Sequence, residues 1–265
     1  MRDRETVLIT GASSGIGLEL ARNFAANDFD LILVARREVE LEALAKRLRR
    51  EHGARVDVLP MDLLGLDAPA KLIQQIEDCD LRVDVLVNNA GLMDMGSFAE
   101  IEADRHERLL QLNVNVLTSL TRGLLPGMLK RRRGRILNVA STSSFQPVPS
   151  MALYAASKAF VLSLSESLSE ELKGSGVTVT ALCPGVTKTE MYDRAHDAHA
   201  SARGIPEFLL SDVETVARDG YEACVAGRAV VVPGLPNQLM AGAVGFYPRW
   251  LVRGIGGLIG RRSAR

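Results

Sequence analysis

Short apolar runs alternate along the chain with longer stretches whose apolar positions recur at helical spacing. Val7–Thr10 is followed by a helical pattern over Gly17–Ala26, Asp30–Val34 by one over Glu38–Arg50, and Arg55–Pro60 by one over Ala68–Glu77. Val83–Asn88 comes next, then Arg135–Val139, a helix over Tyr154–Lys173, Val177–Leu182 and a last strand over Ala229–Val232. The runs are nearly continuous in Val, Ile and Leu, the composition of strands covered on both faces. Strands alternating with helices form right-handed crossover units, which lay a parallel sheet between two helical layers. One doubly wound α/β domain over residues 1–232 is therefore expected, undivided by any Pro/Gly/Ser linker or internal repeat. Two segments leave the pattern: 191–210, where a substrate lid would sit, and 233–265, an apolar tail with five Arg and no Asp or Glu.

Composition narrows the partners. With 32 Lys+Arg against 32 Asp+Glu over 265 residues, the chain lacks the basic footprint of a nucleic-acid binder. The charged start Met1–Glu5 runs directly into the first strand and leaves no room for a secretory signal. Cys79, Cys183 and Cys224 have neither disulfide nor zinc spacing, so a reducing cytoplasm is expected. The apolar stretch Leu239–Gly260 is broken by Pro248, Arg249 and Arg253, which argues against a membrane span. Contact of the tail with a membrane surface stays open beside its use as a cover for a pocket or a partner subunit.

The first strand runs into Gly11-Ala12-Ser13-Ser14-Gly15-Ile16-Gly17 and then a helix. Glycines at a strand-to-helix turn allow a backbone to approach a pyrophosphate, and the helix N-terminus offers it free N–H groups. A dinucleotide site is expected there. The second strand ends Ala35-Arg36-Arg37 with no acid to accept a ribose 2′-hydroxyl. Arg36 can fork onto a 2′-phosphate with Ser13 adding a hydroxyl, so NADP(H) is favoured over NAD(H). The plainer reading of Arg36 and Arg37 is a pair of solvated charges opening the next helix.

Tyr154 and Lys158 are four residues apart at the start of a long helix, which puts phenol and ammonium on one face. A fixed positive charge there is expected to lower the phenol pKa toward the range of general acid–base work. The cluster Asp193, His196, Asp197, His199 is read as a polar lid helix rather than a metal site, since no remote ligand set accompanies it. Lys130-Arg131-Arg132-Arg133 reads as the basic C-terminus of a helix.

From about Val7 to about Thr189 the chain resembles the short-chain dehydrogenase/reductase family, in its standard branch. The resemblance is carried by Thr10–Gly17, Asn88-Asn89-Ala90-Gly91, Asn113, Ser141 thirteen residues before Tyr154, Lys158, and Pro184-Gly185 followed by Thr189. It implies a Rossmann-type fold and hydride transfer between NADP(H) and a small-molecule carbonyl or alcohol. Tyr154 would exchange the substrate proton, Lys158 would hold the nicotinamide ribose and activate Tyr154, and Ser141 would bond the substrate oxygen. Asn113 would position a water beyond Lys158. Asp62 matches an adenine contact, Asn89 would lie beside the cofactor and brace the sheet, and Thr187 and Thr189 match the segment meeting the carboxamide. Ser143 remains a fallback for Ser141, and Asn113 is preferred to Asn115 by alignment alone. The apolar residues Met93, Met95, Phe145, Val148, Met151, Leu153, Met191 and Tyr192 are the expected pocket, which suggests a lipophilic substrate. A non-catalytic NADP-binding sensor is the competing function, opposed by the four intact chemical residues. The resemblance also implies a homodimer or homotetramer.

Overall fold

A computed structural model describes residues 4–193, 210–246, 250 and 253–254. Its seven strands are β1 (Thr6–Thr10), β2 (Asp30–Ala35), β3 (Val56–Pro60), β4 (Val85–Asn88), β5 (Gly134–Val139), β6 (Val177–Leu182) and β7 (Val230–Val231). They form one parallel sheet in the order β3-β2-β1-β4-β5-β6-β7. Among the described residues the sheet is flanked by α1 (Gly15–Ala26), α2 (Glu38–His52), α3 (Ala68–Asp78), α4 (Ala103–Leu110), α5 (Leu117–Arg131), α6 (Ala152–Glu171) and α7 (Val213–Val225), with α8 (Leu235–Phe246) after the last strand.

Alternate strand residues feed opposite layers. Val7 and Ile9 pack with Leu20 and Phe24 of α1, Leu41 and Leu48 of α2, and Val216 of α7. Leu8, between them, faces Leu72 and Ile76 of α3 and Leu120 and Met128 of α5. Both faces are thus buried, as the unbroken apolar runs require. The expected bounds hold to within a few residues, and α5 ends at Arg132 in the left-handed conformation (φ 52°) with Lys130 and Arg131 in its last turn. The chain between α4 and α5, Gln111–Val116, is a π-helical turn. A buried polar chain crosses the sheet: Asn88 donates to Thr121 of α5 (3.1 Å) and to Asn138 of β5 (2.9 Å), and Asn138 donates to Ser165 of α6 (2.9 Å).

The strand order reverses between β1 and β4, and ligands of doubly wound sheets bind in the crevice beyond the carboxyl ends at such a point. Thr10–Gly11 and Asn88–Asn89 lie there.

Candidate active site

At the end of β1 the chain turns at Gly11, whose N–H donates to the Val34 carbonyl (2.8 Å). Asn89 braces the turn by donating to the Thr10 and Gly11 carbonyls (2.9 and 3.1 Å). A side chain at Gly17 would collide with that amide and with the Gly11 carbonyl oxygen, so the approach admits only glycine. Ser14 stands at the N-terminus of α1 without capping it, and no acidic residue occupies the first turn. The N–H groups there remain available to an anion, and Ile16 packs behind them on the core. Gly15 adopts φ +55° with the Thr189 methyl 3.2 Å from where its Cβ would be, so the 184–189 segment closes over the turn. These residues fit a dinucleotide pyrophosphate.

Arg36, at the end of β2, is exposed and makes no ion pair among the described residues. Arg37 behaves otherwise. Its guanidinium donates to the Ser13 hydroxyl (3.2 Å) and carbonyl (3.3 Å) and pairs with Glu190 (3.2 Å). Arg37 therefore ties the glycine turn to the segment after Thr189, a contact the sequence reading missed because two adjacent arginines look alike in one dimension. Asp62 is exposed beyond β3, its carboxylate accepting from the Leu64 N–H (3.1 Å).

Asn113, Ser141, Tyr154 and Lys158 converge at the far side of the crevice. Ser141 hydrogen-bonds the Tyr154 side chain and also accepts from the Ser143 N–H (3.1 Å). The Ser143 hydroxyl, by contrast, is buried with no partner among the described residues. Lys158 is buried, its ammonium donating to the Val139 carbonyl (2.7 Å) and standing 5.9 Å from the Tyr154 ring centre. A Cβ on Gly91 would lie 3.3 Å from the Asn113 carboxamide oxygen and 3.6 Å from the Lys158 ammonium, so glycine lets the segment after β4 meet both. Asn113 sits in the π-turn, accepting from the Leu92 N–H (2.8 Å) and donating to the Leu92 carbonyl (2.9 Å) and the Ser157 hydroxyl (3.1 Å). Asn115 faces solvent and bonds Gln111 (2.9 Å). Such π-turns recur at functional sites because they displace one residue from the regular ladder.

The electrostatics differ from the sequence expectation for Tyr154. Burial pushes its phenol above the ordinary value, and the hydrogen bond to Ser141 opposes that shift. Lys158 does not lower it here, because its own charge is desolvated and directed at the Val139 carbonyl; burial brings Lys158 down to about 8. Cys183, behind Lys158, is pushed up to about 12 chiefly by burial, which makes it an inert thiol.

A cavity of about 300 Å³ opens beside Tyr154, walled by Phe98, Ile101, Leu109, Met151 and Leu153, with His106 stacked on Phe98 at 4.7 Å. Of the expected pocket residues, Met151 and Leu153 line it. Met93, Met95, Val148, Met191 and Tyr192 do not, and Phe145 lines a separate groove against α8. His196, Asp197 and His199 lie outside the described residues, as does most of the expected lid. Among the described residues no group of His, Cys, Asp and Glu is placed to hold a metal.

The family model for short chain dehydrogenases matches residues 5–200. A putative ketoacyl reductase of the monensin polyketide synthase of Streptomyces virginiae is 39% identical over 197 residues, 74% of this chain and 75% of its own length. The solved short-chain dehydrogenase from Sphingobium yanoikuyae in complex with NADPH superposes with a TM-score of 0.80 at 36% identity, covering 92% of this chain and 96% of that one. An alcohol dehydrogenase specific for bulky-bulky ketones from Comamonas testosteroni gives a TM-score of 0.76 at 30% identity, covering 92% and 95%. The chain belongs to the short-chain dehydrogenase/reductase family. It is an NAD(P)-dependent oxidoreductase acting on carbonyl or alcohol groups. No helix among the described residues is long and apolar enough to cross a membrane.

Proposed function

We propose that the protein is an NADP(H)-dependent reductase of ketones carrying a large apolar substituent, with Tyr154 as the proton donor. The observation that carries this reading is the Tyr154 phenol, bonded to Ser141 and lining an apolar cavity of about 300 Å³. Apolar walls with a few converging polar groups are the usual make-up of a small-molecule site.

Bound NADP(H) supplies or accepts the hydride. The uncapped start of α1 and Gly11, Ser13, Ser14, Gly15, Ile16 and Gly17 hold its phosphates, with Asn89, Ala90 and Gly91 forming the floor. Arg36 takes the 2′-phosphate, Asp62 the adenine, and Pro184, Gly185, Thr187 and Thr189 the nicotinamide end. The use of NADP(H) is supported by the exposed Arg36 and by the NADPH bound in the Sphingobium relative. Ser141 orients the substrate carbonyl oxygen toward Tyr154, which gives it a proton. Lys158, whose ammonium would turn from Val139 to the cofactor ribose, stabilises the phenolate left on Tyr154, which recovers its proton from solvent, and Asn113 fixes the backbone behind it.

The test is loss of NADPH absorbance across ketones graded by apolar size, run beside Tyr154→Phe. Turnover that ignores apolar size would sink the substrate class; turnover equal in both proteins would sink the mechanism.

Residues 1–232 act as the catalytic unit, and the tail completes it. That use of the tail is supported by α8, where Asn237 is buried while Leu235, Leu239 and Met240 are exposed. Membrane contact through those exposed residues is the competing use, and sedimentation of full-length protein with anionic vesicles at low salt would establish it. Homo-oligomerisation through α5 and α6 is supported by exposed Leu129 and Phe160, and the mass in solution decides it.

A further inference from the structure

We propose that Asn237, on the helix beyond the last strand, is a positioning residue for the segment that meets the nicotinamide and for Ser141. The inference rests on the reading of Pro184–Thr189 as that segment.

Asn237 is 6% exposed in a helix whose neighbours Leu235 and Leu239 are both 67% exposed. A carboxamide is costly to bury without partners, and this one has them: it donates to the Pro233 carbonyl at 2.9 Å and to the Ser211 hydroxyl at 3.3 Å. Its third neighbour is backbone. A Cβ built on Gly185 would lie 2.5 Å from both the nitrogen and the oxygen of the carboxamide, so the amide rests directly on the Gly185 main chain.

What it holds is the seam on which the site is hung. Ser211 donates its N–H to the Val186 carbonyl (2.7 Å) and accepts from the Lys188 N–H (3.2 Å), joining the two stems that enclose residues 189–210. Thr187 donates to the Gly185 carbonyl (3.0 Å) and Thr189 to the Thr187 carbonyl (3.3 Å), which carries the register to Thr189 over the glycine turn. On the other side, the Pro184 carbonyl accepts from the Thr142 N–H (2.8 Å), next to Ser141. One amide thus bears on a backbone that leads to Gly15 in one direction and to Ser141 in the other.

The close packing supplies a test that a merely stabilising contact would fail. Gly185→Ala alone forces the new methyl into the Asn237 carboxamide, and should weaken NADPH binding and lower kcat, each about tenfold. Asn237→Ala alone should raise the NADPH dissociation constant and lower kcat several-fold, about the worth of one hydrogen bond, with substrate KM nearly unchanged. The double variant Gly185→Ala/Asn237→Ala removes the collision and should bind NADPH more tightly than Gly185→Ala. Binding is read from NADPH fluorescence, and folding from the melting of ligand-free protein. Additive losses in the double variant, or a lower melting temperature in Asn237→Ala with wild-type kcat and NADPH affinity, would overturn the proposal. Failure of the underlying reading shows separately, as wild-type protein that does not bind NADPH, and would take the inference with it.

Discussion

The Asn113 carboxamide donates to the Ser157 hydroxyl across 3.1 Å, and that hydroxyl donates in turn to the Tyr154 carbonyl at 2.7 Å. The π-turn and the first turn of α6 are thereby joined through two side chains, both 2% exposed. Asn113→Ala removes both bonds to the Leu92 backbone as well, leaving its N–H and carbonyl without this partner. The loss should be about 1–3 kcal/mol for each buried group left unpaired, larger than that of Ser157→Ala. Urea unfolding of the two variants measures it, and equal losses would place the stability elsewhere.

Tyr154→Phe deletes the proton donor and little else. NADPH affinity should stay near wild type while turnover falls about 10²–10⁴-fold, the usual worth of general acid–base catalysis. Fluorescence titration beside steady-state rates separates the two effects. Near-normal turnover of the Phe variant would remove Tyr154 from the mechanism.

The adjacent arginines should separate by cofactor. Arg36→Asp replaces the free guanidinium with a carboxylate and should shift preference from NADPH toward NADH by at least about tenfold. Arg37→Leu removes its bonds to Ser13 and Glu190 instead, and should weaken both cofactors by similar factors. A cofactor-selective loss in Arg37→Leu would reverse the two assignments.

The sheet was legible because its central strands are apolar on both faces, so Val7, Leu8 and Ile9 announce two helical layers by composition alone. The four-residue spacing put Tyr154 and Lys158 on one helical face, whereas Ser141 was reached through the family resemblance. The π-turn was not, since what distinguishes Asn113 from Asn115 is Leu92, distant in sequence and bonded to only one of them. Little of the pocket was legible: of the eight residues expected there, Met151 and Leu153, beside Tyr154 at the start of α6, line the cavity, whereas Phe98, Ile101 and Leu109 enter through the course of the chain after β4. The tail's amphipathic look hid Asn237, because a lone Asn in an apolar helix gives no sign of the backbone it touches.

Cavity size should govern which ketone is taken. Met151→Trp fills part of the cavity that Leu153 and Phe98 also line, and should raise KM for ketones with a bulky apolar substituent about tenfold or more while sparing small ones. Met151→Ala should act in the opposite sense. Equal effects on large and small ketones would mean the substituent lies elsewhere.

Lys158 carries a pH dependence whose sign can be worked out. Burial lowers its pKa from 10.5 to about 8, so between those values the unfolded chain binds more protons here than the folded one. Stability therefore rises with pH across that window: the contribution is complete above 10.5 and is lost as pH falls through about 8. Lys158→Met lacks this slope, and wild type should gain on it as pH climbs through the window, as read by urea unfolding of ligand-free protein. NADP(H) binding pulls the other way, because a ribose oxygen accepting from the ammonium favours its charged form. The NADPH dissociation constant of wild type should then rise above about pH 8, by at most about tenfold per pH unit. Lys158→Arg stays charged throughout and should show no such rise. A wild-type affinity that is flat across the same range would mean that Lys158 does not touch the cofactor.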